Sequence, residues 1–440
     1  MRLVHTADWH LGHTLGGHSR DLEHVRFLSW LLDVLDETAA DALLIAGDVF
    51  DAGNPPAQAQ ARYYDFLAAA RRRRPQLSIV VIGGNHDAAP RLDAPGPVLS
   101  TMGVCVVGGL PRDDSGQMVA TQCLVPLRNA QGEVAAVVAA VPHLRAADLP
   151  RVEPGFVDGA VDGTVTGTVT GTMDGVVDGV RAGVGQIWRE VLAAAAIGWP
   201  GVPIISLAHA HLEGARLSLA SERPIFGNTH ALPAHLLAPD GVSYAALGHL
   251  HLAQALGDGR ARYAGSPIPL SMAERNYEHQ VVVVDVNGGK ATIRPRFVPR
   301  TVDLLRVPGD DGALSLPEVL DALQALSLPD VPLEERPFLE VRVRLEEPIP
   351  DLRARVEQVL EGKPVRLVRI HRETQGDGRA LADLASLVTP GTTALQELSP
   401  QAVFSSLYAR TYGGDPGDAL RAAFRQVCDE VMGDVAKETA

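Results

Sequence analysis

Five short polar motifs in this chain of 440 residues carry side chains that can bind metal ions or transfer protons. Each motif follows a short apolar run of the kind that forms a buried strand. The motifs are Asp8-Trp9-His10, Gly47-Asp48-Val49-Phe50-Asp51, Gly84-Asn85-His86-Asp87, Ala208-His209-Ala210-His211 and Gly248-His249-Leu250-His251. Because ligands gather at the carboxyl ends of strands in open α/β sheets, we expect all the motifs to meet at one edge.

The residue types in these motifs favour divalent metal ions of borderline softness. Imidazole, carboxylate and amide ligands together suit manganese, iron or zinc better than calcium or magnesium alone. Two such ions about 3.5–4 Å apart can clamp a phosphoryl group and activate water for in-line attack. A pair of this kind needs a bridging carboxylate, for which Asp48 is the natural candidate. The motifs therefore predict a phosphodiesterase with two divalent metal ions.

In their order along the chain, the motifs resemble the signature of the calcineurin-like metallophosphoesterase superfamily. The segments 1–12, 47–56 and 263–271 are also similar to those of the SbcD family, the nuclease subunits that act with SbcC ATPases. The resemblance covers residues 1–300 strongly and the C-terminal region only in the order of its domains. It implies a manganese-dependent DNA nuclease of repair and recombination, with ATP-dependent double-strand exonuclease and single-strand or hairpin endonuclease activity.

The superfamily pattern implies a role for each matching residue. Two metal ions would share Asp48. The other ligands of the first ion would be Asp8, His10 and His251. The other ligands of the second ion would be Asn85, His209 and His249.

The same resemblance implies catalytic roles beside the metal ions. His86 would contact the scissile phosphate and help to protonate the leaving oxygen. Asp87 would orient the His86 imidazole, as carboxylates commonly do for ligand histidines. Asp51 would also stand behind the ligands rather than bind metal itself.

Two positions depart from the superfamily pattern. Ala88 stands where Ser is common, and Ala208 precedes His209 where Gly is usual. His211 lies two residues beyond His209 and is an alternative ligand. We prefer His209 because it directly follows the apolar run 203–208, where a strand would end.

The segments between the motifs predict an α/β architecture, because short apolar runs alternate with amphipathic helical patterns. Strands are expected at 2–5, 42–46, 77–82 and 104–107, and helices at 21–38 and 58–74. The apolar runs at 280–286 and 291–294, joined by Asn287-Gly288-Gly289, predict a hairpin. The resemblance implies that these strands form a two-sheet metallophosphoesterase sandwich flanked by helices, over residues 1–295.

Residues 153–184 interrupt this domain with a glycine at every fourth position. Glycine at such density disfavours helix, and the composition predicts a flexible or loosely ordered insertion that loops away from the site. Further on, strict alternation at 338–345 and 365–371 around a helical pattern at 350–361 predicts a small α+β capping domain within 300–378. The remaining residues, 379–440, predict a helical tail that the resemblance implies binds an SbcC-like ATPase.

Composition and charge constrain the partners. The net charge of −14 argues against binding nucleic acid by bulk electrostatics alone, although a metal pair or a basic partner could supply local positive charge. The three scattered cysteines predict neither a disulfide framework nor a zinc site. The chain has no phosphate-binding loop, so any use of ATP must come from a partner.

The sequence also bears on location and assembly. It contains no apolar run of membrane-spanning length and no visible signal peptide, so we expect a cytoplasmic, nucleoid-associated protein without membrane contact. The resemblance further implies a homodimer within a heterotetramer that acts on DNA.

Two other functions stay open from the sequence. One is a small-molecule metallophosphoesterase such as a nucleotidase, against which the SbcD-like flanking segments argue. The other is a DNA-end-binding scaffold whose chemistry is dispensable, against which the full set of seven ligand residues argues.

Overall fold

A computed structural model describes residues 1–129, 131–150, 173–217, 231–309, 312–345 and 349–374, and parts of 404–425. The chain divides into two units, Met1–Asp303 and Leu304–Ala440. The predictions made for residues 153–172 and for most of the tail at 379–440 lie outside the described residues.

The first unit is built from two six-stranded sheets, a small hairpin and helices on the outside. Its strands are β1 (Arg2–Thr6), β2 (Thr14–Leu15), β3 (His18–Ser19), β4 (Ala42–Ala46), β5 (Ser78–Ile82), β6 (Val104–Val107), β7 (Leu124–Arg128), β8 (Val134–Val141), β9 (Ile204–His209), β10 (Val242–Gly248), β11 (Gln254–Leu256), β12 (Ala261–Tyr263), β13 (Gln280–Asn287) and β14 (Lys290–Phe297). Its helices are α1 (Asp21–Glu37), α2 (Ala57–Arg73), α3 (Ala89–Asp93), α4 (Gly96–Thr101) and α5 (Met173–Gly198).

Both large sheets have a parallel centre. The first has the strand order β14-β13-β1-β4-β5-β6, in which β1, β4, β5 and β6 are parallel and the hairpin β13–β14 is added antiparallel. The second has the order β11-β12-β10-β9-β8-β7, with β8, β9, β10 and β12 parallel. The two-sheet sandwich, the helices predicted at 21–38 and 58–74, and the hairpin are therefore confirmed.

The core of the first unit lies between the two sheets and on their outer faces. Leu44 and Val80 of the first sheet contribute to the same buried cluster as Val138 and Leu207 of the second, and all four are fully buried. The alternate residues of the first sheet pack outward against α1 and α2, and those of the second against α5. Every residue of β4 is buried as a result, which explains why its sequence reads as a continuous apolar run.

The glycine-rich stretch differs from its prediction where the structure describes it. Helix α5 begins at Met173, so residues 173–184 are helical rather than loosely ordered. Further along α5, Ile187, Trp188 and Val191 are buried against the second sheet. Burial of this apolar face outweighs the low helix propensity of glycine. Among the described helices, α5 included, none has the length and apolar character needed to cross a membrane.

The second unit has its own sheet and core. It contains β15 (Leu304–Val307), β16 (Leu314–Ser315), α6 (Leu316–Ala325), β17 (Phe338–Leu345), α7 (Leu352–Leu360) and β18 (Arg366–Thr374). Strand β17 pairs in parallel with the other three strands, and Val319, Val341 and Val356 are buried in the core of this unit. The alternating segments seen in the sequence thus form β17 and β18, and the helix between them is α7.

Truncation of a side chain in the core between the two sheets should destabilise the first unit. Leu44→Ala removes a fully buried side chain and should lower the free energy of unfolding by about 2–5 kcal/mol, because the cavity can collapse only in part. Urea denaturation followed by circular dichroism measures the change. Ile197→Ala is the control, because Ile197 is 82% exposed and its truncation should shift stability by less than about 0.5 kcal/mol. Equal effects of the two changes would contradict the assignment of this core.

Candidate metal centre

The structure brings the seven candidate ligand residues together at the carboxyl ends of five strands. Strands β1, β4 and β5 of the first sheet and strands β9 and β10 of the second sheet supply them. The residues are Asp8, His10, Asp48, Asn85, His209, His249 and His251. The site therefore lies where the strand ends of the two sheets meet, and neither sheet contains it alone.

Four of these residues have a backbone conformation that residues with side chains rarely adopt. The angle φ is 54° at Asp8, 47° at His10, 49° at Asp48 and 101° at His249. Within the described part of the chain, Ala39 is the one other non-glycine residue with positive φ. Each such residue costs about 1–3 kcal/mol and persists only where the surrounding structure compensates. The fold thus holds the backbone of the site in strained positions that set the directions of the side chains.

Asp8, His10 and His251 form one buried cluster, with ligand atoms within 4.8 Å of one another. Among the described residues, Asp8 Oδ2 and both ring nitrogens of His10 are buried without a hydrogen-bond partner. Burial raises the pKa of Asp8 above its ordinary value. Unpaired buried polar atoms are costly, so this donor set fits a bound cation that would satisfy Asp8 Oδ2 and one ring nitrogen of His10 together.

A second cluster is centred on Asn85, whose Oδ1 lies 2.9 Å from His209 Nε2 and 3.1 Å from His249 Nδ1. His209 donates its Nδ1–H to the Ala46 carbonyl oxygen at 2.8 Å, so Nε2 is the atom that faces Asn85 and, at 3.4 Å, Asp48 Oδ2. Burial lowers the pKa of His209, but Asp48 more than offsets this and raises it to about 9. A proton on Nε2 fits between these oxygens, and a metal ion could take its place.

Asp48 lies between the two clusters. Its Oδ2 is 3.5 Å from His10 Nε2 and 3.4 Å from His209 Nε2. Its Oδ1 accepts a hydrogen bond from the backbone N–H of His86 at 2.9 Å. Burial by itself would raise the pKa of Asp48, but the neighbouring His209 and His10 imidazoles hold it well below its ordinary value. The carboxylate is therefore ionised and faces both clusters.

His209, and not His211, faces the other candidate ligands. Strand β9 ends at His209, and its side chain is buried within the site. His211 lies beyond the end of the strand and is only half-buried. None of the potential metal-binding groups found among the described residues includes His211.

The structure corrects the contact expected for Asp87. Its carboxylate accepts hydrogen bonds from three backbone N–H groups, those of Gly84, Val49 and Phe50, at 2.9–3.1 Å. These bonds connect the loops after β4 and β5. The carboxylate of Asp87 therefore binds backbone N–H groups rather than the ring of His86. The Nδ1 of His86 instead donates to the carbonyl oxygen of Asp51 at 2.8 Å, and the ring is exposed.

The carboxylate of Asp51 contacts two other histidines. Its Oδ1 lies 2.9 Å from His13 Nδ1 and 3.3 Å from His10 Nδ1. Burial by itself would raise the pKa of Asp51, but these two imidazoles lower it. Asp51 therefore contacts the ring of His10 through its carboxylate and the ring of His86 through its carbonyl oxygen.

Two residues that the sequence did not single out lie against the candidate ligands. Glu274 is fully buried, and its Oε1 is 3.1 Å from His251 Nδ1. His143 follows β8, and its Nδ1 lies 3.3 Å from the His209 carbonyl oxygen. Burial lowers the pKa of His143 to about 4. The apolar run before His143 is a sequence signal from which its position at a strand end could have been predicted. Nothing in the local spacing relates Glu274 to His251, which lies 23 residues away.

Glycine is required beside the ligands at two positions. A Cβ atom on Gly84 would lie 2.1 Å from Asp48 Oδ1, and one on Gly248 would lie 1.9 Å from the Ala46 carbonyl oxygen. Both contacts are far inside van der Waals distance. Gly84 therefore allows the loops after β4 and β5 of the first sheet to approach each other, and Gly248 allows the end of β10 in the second sheet to approach β4 in the first.

A two-sheet α/β sandwich with Asp, His and Asn side chains at its strand ends defines a calcineurin-like metallophosphoesterase, a hydrolase that binds divalent metal ions. The family model for calcineurin-like phosphoesterases matches residues 1–119. A second model, described as the type 5 capsule protein repressor C-terminal domain, matches residues 300–412.

Within this class, the chain belongs to the SbcD family. It is 42% identical to the SbcD protein of the SbcCD nuclease of Rhodobacter capsulatus over 370 residues, which cover 83% of this chain and 86% of the relative. The SbcD protein of the Escherichia coli K12 SbcCD nuclease is 29% identical, over 92% of each chain. Its counterpart in the SbcCD nuclease of Bacillus subtilis is 33% identical over 66% of this chain and 67% of its own.

The close approach at Gly84 leads to a prediction. Gly84→Ala should destabilise the first unit by about 1–3 kcal/mol, because the added methyl group collides with Asp48 and the backbone cannot relax freely. Urea denaturation measures the loss. Gly96→Ala is the control, since a Cβ there meets no atom within 4 Å and should leave stability nearly unchanged. Wild-type stability of Gly84→Ala would show that the loops after β4 and β5 are not packed as described.

Proposed function

We propose that this chain is the nuclease subunit of an SbcC–SbcD-type complex and hydrolyses DNA phosphodiester bonds in DNA repair and recombination. One observation carries the proposal: in a member of the SbcD family, six ligand-type side chains gather at the strand ends together with one ionised carboxylate, Asp48. The names of the relatives support the nuclease activity and the complex.

In this proposal Asp48 would be a ligand common to two Mn²⁺ ions. Asp8, His10 and His251 would hold the first ion, and Asn85, His209 and His249 would hold the second. When bound, such a pair polarises the phosphate and activates water for attack. The chain contributes the orientation: the Nδ1–H of His209 is directed to the Ala46 carbonyl, which leaves the Nε2 lone pair for the ion.

His86 is proposed to contact the scissile phosphate and to protonate the leaving oxygen. Its exposed ring can reach a substrate, and its Nδ1–H is already held by the Asp51 carbonyl oxygen. Nε2 is therefore the nitrogen left for the substrate. Asp87 supports this arrangement indirectly, because its three backbone hydrogen bonds fix the loop that carries His86.

The partner and assembly form the second part of the proposal. An SbcC-like ATPase supplies ATP hydrolysis, so that the complex acts as an ATP-dependent double-strand exonuclease and a single-strand or hairpin endonuclease near the nucleoid. Residues 1–295 form the nuclease domain, 300–378 a capping domain and 379–440 a partner-binding tail. The subunit would form a homodimer within a heterotetramer.

Replacement of His86 separates catalysis from metal binding. His86→Gln should lower cleavage of hairpin DNA by at least about 10²-fold, because a general acid is lost, while Mn²⁺ affinity stays unchanged. Gel-based cleavage assays and Mn²⁺ titration measure the two quantities. His211→Gln is a matched control that should retain cleavage, since His211 lies beyond the end of β9 and is only half-buried. Full cleavage by His86→Gln would refute its assigned role.

The substrate class is tested with the wild-type chain. In the presence of Mn²⁺ it should cleave hairpin DNA, and addition of an SbcC-like ATPase with ATP should extend cleavage to double-stranded ends. Chelation with EDTA should abolish both activities. Hydrolysis confined to nucleotides or other small phosphoesters would favour the nucleotidase alternative and would contradict the nuclease proposal.

A further inference from the structure

We propose that Glu274 is a positioning residue that acts on only one of the two proposed metal sites. It fixes which ring nitrogen of His251 carries the proton and how the ring is oriented, and it thereby sets the affinity of the first ion alone. The inference rests on the two-ion site proposed above and extends it to a residue outside the five motifs.

Glu274 lies in a buried frame of hydrogen bonds. It is 0% exposed, and its Oε2 accepts from the backbone N–H of Leu270 at 2.8 Å and from Ser266 Oγ at 3.4 Å. Its Oε1 accepts from Ser271 Oγ at 3.2 Å and from His251 Nδ1 at 3.1 Å. Four donors thus surround one carboxylate, and they fix its rotamer before any ion binds.

The frame continues away from the site. His279 is buried, and its Nδ1–H is donated to the Ser266 carbonyl oxygen at 2.8 Å. This bond anchors the segment that carries Ser266 next to the start of β13, which begins at Gln280. Glu274 is therefore held by the loop after β12 and by the first sheet rather than by His251 alone.

The carboxylate determines the protonation of His251. An ionised carboxylate only accepts hydrogen bonds, so the Nδ1 of His251 must carry the proton. The lone pair then lies on Nε2 of His251, which belongs to the cluster with Asp8 and His10. A negative charge behind the ring also makes Nε2 a stronger ligand.

The second cluster is supported differently. There the Nδ1–H of His209 is donated to the neutral carbonyl oxygen of Ala46 at 2.8 Å. At the first proposed site, a ligand histidine thus donates its Nδ1–H to a carboxylate. At the second proposed site, a ligand histidine donates its Nδ1–H to a peptide carbonyl. A change at Glu274 should consequently act on one ion and spare the other.

Glu274→Gln tests this with little change of shape. The introduced amide has one oxygen where the carboxylate has two. Because the backbone N–H of Leu270 is fixed, the amide oxygen accepts its hydrogen bond, and the NH₂ group then faces His251. His251 must then accept at Nδ1 and carry its proton on Nε2, where it cannot bind metal. In a Mn²⁺ titration followed by the electron paramagnetic resonance signal of free Mn²⁺, one binding step should weaken about 10–100-fold and the other should stay unchanged.

Two comparisons make the assignment specific. His251→Ala should weaken the same step, and the double variant His251→Ala/Glu274→Gln should be no weaker than His251→Ala alone, because Glu274 acts only through that ring. Asp93→Asn is the control: Asp93 also accepts hydrogen bonds from two backbone N–H groups, those of Gly108 and Gly109, and its change should leave both steps intact.

The outcomes are distinct. Two unchanged steps in Glu274→Gln, or additive losses in the double variant, would overturn the role of Glu274 while leaving the two-ion site in place. Equal weakening of both steps would show a general structural effect and would also overturn it. A wild-type chain that binds fewer than two Mn²⁺ ions would overturn the proposed site and this inference together.

Discussion

The site depends on one buried charge, the carboxylate of Asp48. Burial opposes ionisation, yet this group stays ionised because His10 from the first sheet and His209 from the second lie within 3.5 Å of its Oδ2. A buried charge is tolerated only when it is paired and hydrogen-bonded. Because its two imidazole partners come from different sheets, the buried charge of Asp48 has both of them only when the sandwich has formed.

The rest of the first unit compensates the cost of this arrangement. Asp8, His10, Asp48 and His249 hold positive φ, and Gly84 and Gly248 permit approaches that a methyl group would block. Such local violations of backbone preference are expected at functional sites and are balanced elsewhere in the fold. Here the balance comes from a fully buried core between two sheets, in which residues such as Leu44 and Val138 contact no solvent.

Parts of the structure that rest on local pattern were predictable. Helices α1 and α2 lie within one residue of their expected bounds, and the hairpin β13–β14 follows its turn sequence. Residues 173–184 were not predictable, because the burial of the α5 face against the second sheet outweighs glycine content. The contact expected for Asp87 was wrong for a similar reason: its three donors belong to the loops after β4 and β5, which the pairing of these strands in the first sheet brings together.

The sequence by itself determined the candidate ligand types, the strand ends that carry them and the SbcD family, since motif spacing and apolar runs are local properties. Only the tertiary structure decided that His209 rather than His211 faces Asp48, that Asp87 binds backbone, and that Glu274 stands behind His251. The first outcome depends on which strand ends face each other across the sandwich, and the second on the pairing of β4 with β5 within the first sheet. The third depends on how the loop after β12 packs against the end of β10. None of these relations is contained in the spacing of any single motif, because each joins segments that are distant in the chain.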